Sequence, residues 1–238
     1  MKAMIFSAGL GTRLRPLTDT MPKALVPVEG KPLLQWQIEK LKQADITDIV
    51  VNIHHFPEQI RTFVENNNGF GCHILFSDET ELLLDTGGGL KKAAPLLTDT
   101  SPVLVLNVDV LSNINLKQFV EAYRPQDDAA LVVSLRETQR YLLFDMANLL
   151  RGWHNTATGE LKPPSCDAQL KHLAFAGMQI VSQRLLQHLQ NYDADVFSVI
   201  DFYLHICTMN SLRAYTPPDF QMLDVGKPNA LQQARGFL

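Results

Sequence analysis

The chain has 238 residues, 46% of them hydrophobic, and a formal net charge of −4. This size predicts a single domain with a large core, and the charge excludes a basic surface for non-specific binding of nucleic acid. Three scattered cysteines indicate reduced thiols rather than a disulfide framework. The sequence shows neither a signal peptide nor an apolar run of the ~20 residues that a membrane span needs. A cytoplasmic protein with neither membrane nor nucleic-acid partner is expected.

The first part of the chain alternates between strand and helix patterns. Buried-strand patterns occur at 3–6, 49–53, 73–76, 103–106 and 129–135. Amphipathic helix patterns occur at 34–41, 57–64, 86–94 and 116–123. This alternation predicts an α/β fold, with a mostly parallel, Rossmann-like sheet flanked by helices.

The pattern changes from about residue 141. Short strands at 142–144 and 149–153 predict an antiparallel meander, and a longer strand follows at 173–181. Helices are predicted from Ser182 to 189 and over 196–207, and a last short strand begins at Met222. We expect this part to add a small substrate-side β lobe to one continuous domain.

The stretch 8–32 carries the strongest chemical signal. Gly9 and Gly11 let the chain turn sharply after the first strand and leave backbone N–H groups free to face an anion. Arg13 and Lys23 bring two cations to the same loop, which three prolines stiffen. A strand followed by such a loop suits a polyphosphate.

A loop of this composition has three other interpretations. A dinucleotide fingerprint requires a third glycine where Leu14 stands and a helix directly after it, which Pro16 forbids. A Walker A loop requires a Gly-Lys-Ser/Thr sequence, which is absent. A plain glycine-rich surface turn remains the alternative.

Two aspartates follow short strands. Asp109 comes after the strand that ends at Asn107, at the sheet edge where ligands bind in open α/β sheets. Its carboxylate there suits a hard cation such as Mg²⁺, and a turn or cap is the alternative. Asp224, within Met-Leu-Asp-Val-Gly, predicts by itself no more than a structural turn.

Glycines mark two further places. Residues 84–91 read LDTGGGLK, in which Asp85 or Thr86 can cap a helix. Three consecutive glycines at a helix start suggest that a flat ligand lies against bare backbone, and a flexible loop is the alternative. Gly177 interrupts an apolar strand, which often marks a close approach of another group to the backbone.

Three segments together resemble the opening signature of the sugar-1-phosphate nucleotidylyltransferases. They read G-x-G-T-R-L-x-P-L-T, P-K-A-L-V-P-V and G-K-P-L-L. The resemblance implies a glycosyltransferase-A-like fold and an enzyme that joins a nucleoside triphosphate to a sugar 1-phosphate with Mg²⁺, releasing pyrophosphate. It divides the single domain 1–238 into a nucleotide-binding half, about 1–140, and a sugar-binding half, about 141–238.

The same resemblance implies roles for individual residues. The catalytic cations are Arg13 and Lys23, and the two metal carboxylates are Asp109 and Asp224. Sugar contacts fall to Glu160 and Gly177. Nucleotide contacts fall to Ala8, Gly9, Leu10, Gly11, Thr12, Thr86, Gly87, Gly88 and Asn107. Val108 stands where the family has a glycine.

Within the family, the short chain and the Thr-Gly-Gly-Gly segment look like single-domain N-acetylmuramate-1-phosphate uridylyltransferases. Mannose-1-phosphate guanylyltransferase-like proteins share these traits, and choline-phosphate cytidylyltransferases share the opening. A regulator that binds a nucleotide sugar without catalysis is the alternative of another class. The base, the sugar and the oligomeric state, a homodimer included, stay open.

Overall fold

A computed structural model describes residues 1–99, 101–163, 169–226, 228–234 and 237. Its strands are β1 (Lys2–Phe6), β2 (Pro27–Val28), β3 (Lys31–Pro32), β4 (Asp48–Ile53), β5 (His73–Asp78), β6 (Val103–Asn107), β7 (Val110–Ser112), β8 (Ala129–Ser134), β9 (Arg140–Phe144), β10 (Leu150–Asn155), β11 (Glu160–Lys162), β12 (Lys171–Val181), β13 (Leu212–Tyr215) and β14 (Met222–Asp224). Its α-helices are α1 (Leu33–Gln43), α2 (Pro57–Asn66), α3 (Asp85–Leu97), α4 (Leu116–Ala122), α5 (Gln183–Gln190), α6 (Val199–Ile206) and α7 (Pro228–Gln233).

One mixed sheet runs through the molecule in the order β5-β4-β1-β6-β12-β9-β10-β11, with β8 joined to β12 and β13 joined to β8. Strands β5, β4, β1 and β6 are parallel, whereas β12 is antiparallel to β6 and β8. Strands β9 to β11 form an antiparallel meander that extends the sheet. The predicted fold class, a mostly parallel sheet flanked by helices, is confirmed.

Both faces of the sheet are buried. Along β1, Ala3 and Ile5 pack into one core, and Met4 and Phe6 pack into the other. Helices α1, α2 and α4 cover the first face, and α3, α5 and α6 cover the second. This explains why the central strands are continuously apolar. The carboxyl ends of the parallel strands therefore form the edge at which polar side chains collect.

The structure departs from the sequence predictions in five short strands and in the start of one helix. Strands β2, β3, β7, β11 and β13 were not predicted, and β13 pairs in parallel with β8. Helix α6 begins at Val199 rather than at 196, because the Ser198 hydroxyl accepts a hydrogen bond from Ile200 N at 3.1 Å and so caps the helix. Residues 195–197 run instead against the start of α3. Ser182 caps α5 as predicted.

The thiols of Cys72 and Cys207 are free, and Cys166 lies outside the described residues. Among the helices described, none is long and apolar enough to cross a membrane.

Candidate active site

The loop after β1 holds Gly11 in a conformation that other residues adopt only with strain. Gly11 has φ +65°, and a Cβ there would lie 2.8 Å from Thr18 Cγ2 and 3.0 Å from Lys23 Cβ. The Thr18 hydroxyl donates to Gly11 O at 2.8 Å and holds the turn closed. Within the described ranges, the backbone N–H groups of residues 9–11 donate to no protein acceptor. The loop thus presents free donors, as an anion site requires.

The two chemical signals of the sequence meet at Lys23. Its ammonium forms an ion pair with Asp109 Oδ2, although the two residues are 86 positions apart. The side chains are only 12% and 16% exposed. The loop after β1 and the loop after β6 are therefore joined by a partly buried charge pair.

Asp224 reaches the same place through strand pairing. Strands β7 and β14 are antiparallel, with Asp224 opposite Val110. Val225 N donates to Asp109 O at 2.8 Å, so the two aspartates belong to adjacent backbone segments. The backbone segments that carry the two aspartates are therefore neighbours, and the convergence of their carboxylates on one ion stays a prediction.

Arg13 lies beside Asp224. A Cβ placed on Gly226 would be 2.6 Å from Arg13 Nη2 and 2.7 Å from Asp224 Oδ1. Gly226 N donates to the same Oδ1 at 2.8 Å, which fixes the carboxylate of Asp224. Only glycine fits at 226 without displacing the guanidinium or the carboxylate. Arg13, Lys23, Asp109 and Asp224 thus surround one edge of the sheet.

Gly177 accommodates Asn107. Gly177 has φ +70°, and a Cβ there would lie 2.7 Å from Asn107 Nδ2. The register of β12 on β6, with Met178 opposite Leu106, places the two residues side by side. The expected close approach at this glycine is therefore present, and the group that approaches is the amide of Asn107.

Val108 stands in the position of the family's glycine without crowding the site. Its side chain is 3% exposed and packs into the core on the α1 face, and its N–H donates to Phe6 O at 3.1 Å.

The space beside the three glycines of α3 is occupied by other residues of the protein. A Cβ on Gly87 would lie 2.4 Å from the Phe197 ring, and one on Gly88 would lie 2.0 Å from Asp195 O. Gly87 N and Gly88 N both donate to Phe197 O, at 2.8 and 3.2 Å. We expected these glycines to leave bare backbone for a ligand. This is wrong for the space where their side chains would lie, because residues 195–197 occupy it. Nucleotide contacts by Thr86, Gly87 and Gly88 stay a prediction.

Thr86 links two helices. Its hydroxyl accepts a hydrogen bond from Val199 N at 3.0 Å, the first residue of α6. Asp85 Oδ1 accepts from Thr86 N at 2.6 Å, which is a local contact rather than the N-cap that was expected.

Sequence reasoning missed a buried polar network behind the loop. Ser7 N donates to Asn52 Oδ1 at 2.6 Å, and the Ser7 hydroxyl contacts Asn52 O. Asn52 Nδ2 donates to Glu79 Oε1 at 2.7 Å, and Leu84 N donates to Glu79 Oε2 at 3.2 Å. This network connects the residue after β1 with the residue before α3. The signal in the sequence was Asn52 itself, a polar residue within an apolar strand.

Glu79 is fully buried in this network. Desolvation raises the pKa of its carboxyl group above the ordinary value, against hydrogen bonds from Asn52 and Leu84 that lower it. A Cβ on Gly89 would lie 2.7 Å from Glu79 Oε1, so the third glycine also makes room for protein.

Glu160 is not brought to the aspartates. It lies exposed on β11, where its Oε1 is 3.3 Å from Lys162 Nζ. Among the residues described, no other contact of its side chain with a candidate site residue is recorded. Its assignment to the sugar stays a prediction.

The residues at the edge fit a magnesium ion. Asp109 and Asp224 offer carboxylate oxygens, and Mg²⁺ is usually bound by one or two carboxylates together with waters and substrate phosphates. Within the described ranges no cluster of three or more His, Cys, Asp or Glu side chains could form a closed metal site. The donor set is that of an open site.

Comparison with known proteins shows the family of the chain. Residues 2–141 match the family model for nucleotidyl transferases. The chain is 47% identical over 115 residues to an N-acetylmuramate alpha-1-phosphate uridylyltransferase of Neisseria meningitidis, covering 48% of this chain and 49% of that protein. It is 41% identical over 145 residues to a mannose-1-phosphate guanyltransferase of Hypocrea jecorina, covering 59% of this chain and 40% of that protein. The chain spans about half the length, or less, of these two curated relatives.

A similar fold is found in a Bacillus anthracis protein described as a glucose-1-phosphate thymidylyltransferase. The TM-score is 0.82 at 18% identity, covering 99% of this chain and 94% of that chain.

The packing at the start of α3 predicts a loss of stability for Gly88→Val. The new side chain would meet the backbone of Asp195, which cannot rotate away, so we expect the free energy of unfolding to fall by at least about 1–3 kcal/mol. Thermal unfolding measures this change. Gly9→Val is the control, since a Cβ at Gly9 meets nothing within 4 Å. An unchanged midpoint for the Gly88 variant would contradict the packing described above.

The buried network predicts that Glu79→Ala destabilises the fold. Asn52 Nδ2 and Leu84 N would lose their acceptor, which costs about 1–3 kcal/mol for a buried donor. Urea unfolding of this variant is compared with Glu81→Ala, an exposed neighbour of the same type.

The pH dependence of the Glu79 effect has a definite sign. Because the folded-state pKa of Glu79 is raised, its titration stabilises the fold fully below the unfolded pKa, and this contribution is lost as the pH rises through the folded pKa. The stability difference between wild type and Glu79→Ala should therefore shrink with rising pH. A difference that grows with pH would show that Glu79 is held as a favourable anion.

Proposed function

Because the chain belongs to the nucleotidyl transferase family, we propose that it transfers a nucleoside monophosphate from an NTP to a sugar 1-phosphate and releases pyrophosphate. The observation that carries the proposal is the convergence of Lys23, Asp109, Asp224 and Arg13 beside a loop with free N–H groups. Two cations and two carboxylates at the carboxyl edge of a parallel sheet are suited to two phosphorylated substrates and a divalent ion.

In this reaction an oxygen of the sugar phosphate attacks the α-phosphorus of the NTP, and the bond to the bridging oxygen of pyrophosphate breaks. No general base is needed, because the second pKa of a phosphate monoester is about 6 and the nucleophile is mostly ionised at neutral pH. The protein must bring two polyanions together and stabilise the charge of the leaving group.

The chain's own groups divide this work. The N–H groups of residues 9–11 face the phosphates, and Arg13 draws off charge from the leaving pyrophosphate. Lys23 serves the α-phosphate, for which it must exchange its contact with Asp109 for one with substrate. Asp109 and Asp224 would hold Mg²⁺, which would supply positive charge to the phosphates when bound.

We propose UTP and N-acetylmuramate 1-phosphate as the substrates, for a soluble enzyme of the cytoplasm. The name and the 47% identity of the Neisseria meningitidis relative support this pair. Mannose 1-phosphate with GTP is the second candidate, supported by the Hypocrea jecorina relative. A screen of NTPs against sugar 1-phosphates with Mg²⁺, read by pyrophosphate release, tests both. If no pair reacts, the enzyme interpretation fails, and the alternative is a regulator that binds a nucleotide sugar without catalysis.

The position of Lys23 predicts that Lys23→Ala lowers kcat by about 10²–10³, as expected for the loss of one preorganised charge. Lys23→Arg should retain part of the activity because it keeps the charge. Lys42→Ala serves as the control, since this exposed lysine contacts only Phe70 O among the described residues. Turnover close to that of the wild type in a folded Lys23→Ala variant would remove this residue from the mechanism.

The paired aspartates predict a shared metal dependence. Asp109→Asn and Asp224→Asn should each abolish Mg²⁺-dependent turnover, and the double variant should be no worse than either, because residues that act as a unit are non-additive. Asp48→Asn, an exposed aspartate paired with His73, is the control. Full activity of the wild type in excess chelator would contradict the metal proposal.

A further inference from the structure

A second cavity, which we call the lobe pocket, lies where the meander meets α6. It has a volume of about 460 Å³, and its lining includes Arg136, Arg140, Trp153, Lys162, Phe175 and Asp201. The charged residues of this lining are three cations and one carboxylate. Trp153 and Phe175 supply aromatic surface. A pocket of this kind suits a ligand with a ring and an acidic group.

The lobe pocket adjoins the candidate active site along β12. Phe175 precedes Gly177 by two residues on β12, so the backbone between them spans at most about 7 Å. Gly177 in turn contacts Asn107 at the carboxyl end of β6. On its other side, the pocket is lined by Ser198, which caps α6 next to the Thr86 contact. The pocket is therefore within the length of a sugar from the edge of the sheet.

The cations of the lobe pocket are available to a ligand. Among the described residues, Arg140 has no recorded side-chain partner, and Arg136 only donates from Nη2 to Phe175 O at 3.0 Å. Lys162 lies 5.5 Å from the centre of the Trp153 ring and pairs with Glu160. Asp201 forms no recorded ion pair with any of the three. The lining therefore carries more positive than negative charge, because its one carboxylate, Asp201, does not neutralise the three cations.

This surplus is separate from the charges that serve the phosphates. The 1-phosphate of the sugar is assigned to the edge around Lys23 and Asp109, and a neutral sugar would leave Arg140, among the cations of the lobe pocket, without a side-chain partner. From this we infer that the lobe pocket is a subsite for a carboxylate carried by the sugar, with Arg140 as its specificity-determining residue. The inference rests on the proposed function, and it narrows the substrate to acidic sugar 1-phosphates. N-acetylmuramate has such a group, a lactyl carboxylate on O3.

The test compares two substrates that differ only in this group, N-acetylmuramate 1-phosphate and N-acetylglucosamine 1-phosphate. Wild type should prefer the acidic sugar. Arg140→Gln should lower kcat/KM for the acidic sugar about tenfold and for the neutral one less than about twofold, as expected for one partly exposed charge-assisted hydrogen bond. Arg140→Lys should restore part of the preference, and added NaCl should weaken it. Lys117→Gln, an exposed cation paired with Asp45, is the matched control.

Equal losses on both sugars would overturn the inference, because they would show that Arg140 serves the common phosphate. Unchanged ratios would overturn it as well.

A binding measurement separates this inference from the proposed function. Trp36→Phe leaves Trp153 as the sole tryptophan of the chain, so that its fluorescence reports on the lobe pocket. Free N-acetylmuramate should change this fluorescence, N-acetylglucosamine should not, and Arg140→Gln should weaken the response about tenfold. If wild type shows no turnover with any sugar 1-phosphate but this response remains, the proposed function fails and the subsite stands. Absence of the response overturns the subsite.

Discussion

The ion pair between Lys23 and Asp109 is the contact on which the rest of the site depends. It joins the loop after β1 to the loop after β6, and both side chains are mostly withdrawn from water. Removal of one partner of such a pair is costly, because the remaining charge is left poorly solvated. The same two groups are those that a phosphate and a cation would engage. On the proposed function, binding of substrates would exchange one set of charge partners for another.

Short antiparallel pairing supplies the second constraint. Strands β7 and β14 are only three residues each, yet their register places Asp224 next to the segment of Asp109. Gly226 then leaves room for the Arg13 guanidinium beside the Asp224 carboxylate. The Asp224 carboxylate is held by the N–H of Gly226, and its strand is held beside the segment of Asp109 by backbone hydrogen bonds. Such support suits a site that works by positioning.

Packing at the start of α3 connects the site with the substrate-side lobe. Residues 195–197 lie against Gly87 and Gly88, and Thr86 accepts a hydrogen bond from the first residue of α6. Helix α6 also lines the lobe pocket. Gly87 and Gly88 thus allow the segment before α6 to approach α3 closely, which places the lobe pocket near the edge of the sheet.

The sequence by itself determined the longer strands, the helices and the loop after β1, because these follow from local periodicity and from glycine and proline chemistry. It also placed Asp109 at a strand end. Five short strands, which form only by pairing with other segments, were not predicted. Only the tertiary structure decided that Lys23 pairs with Asp109, since contacts between residues 86 positions apart leave no local pattern.

The same limit explains the glycines of α3. Three small residues in sequence show that something approaches the backbone closely, but not whether it is a ligand or the chain itself. In the folded protein the approaching groups are Phe197 and Asp195, which lie about a hundred residues further along the chain. Likewise, Asn52 and Glu79 are isolated polar residues in the sequence. The pairing of β4 with β5 brings them together in the buried interior. Local sequence specifies the elements, whereas long-range packing specifies which of their side chains share a site.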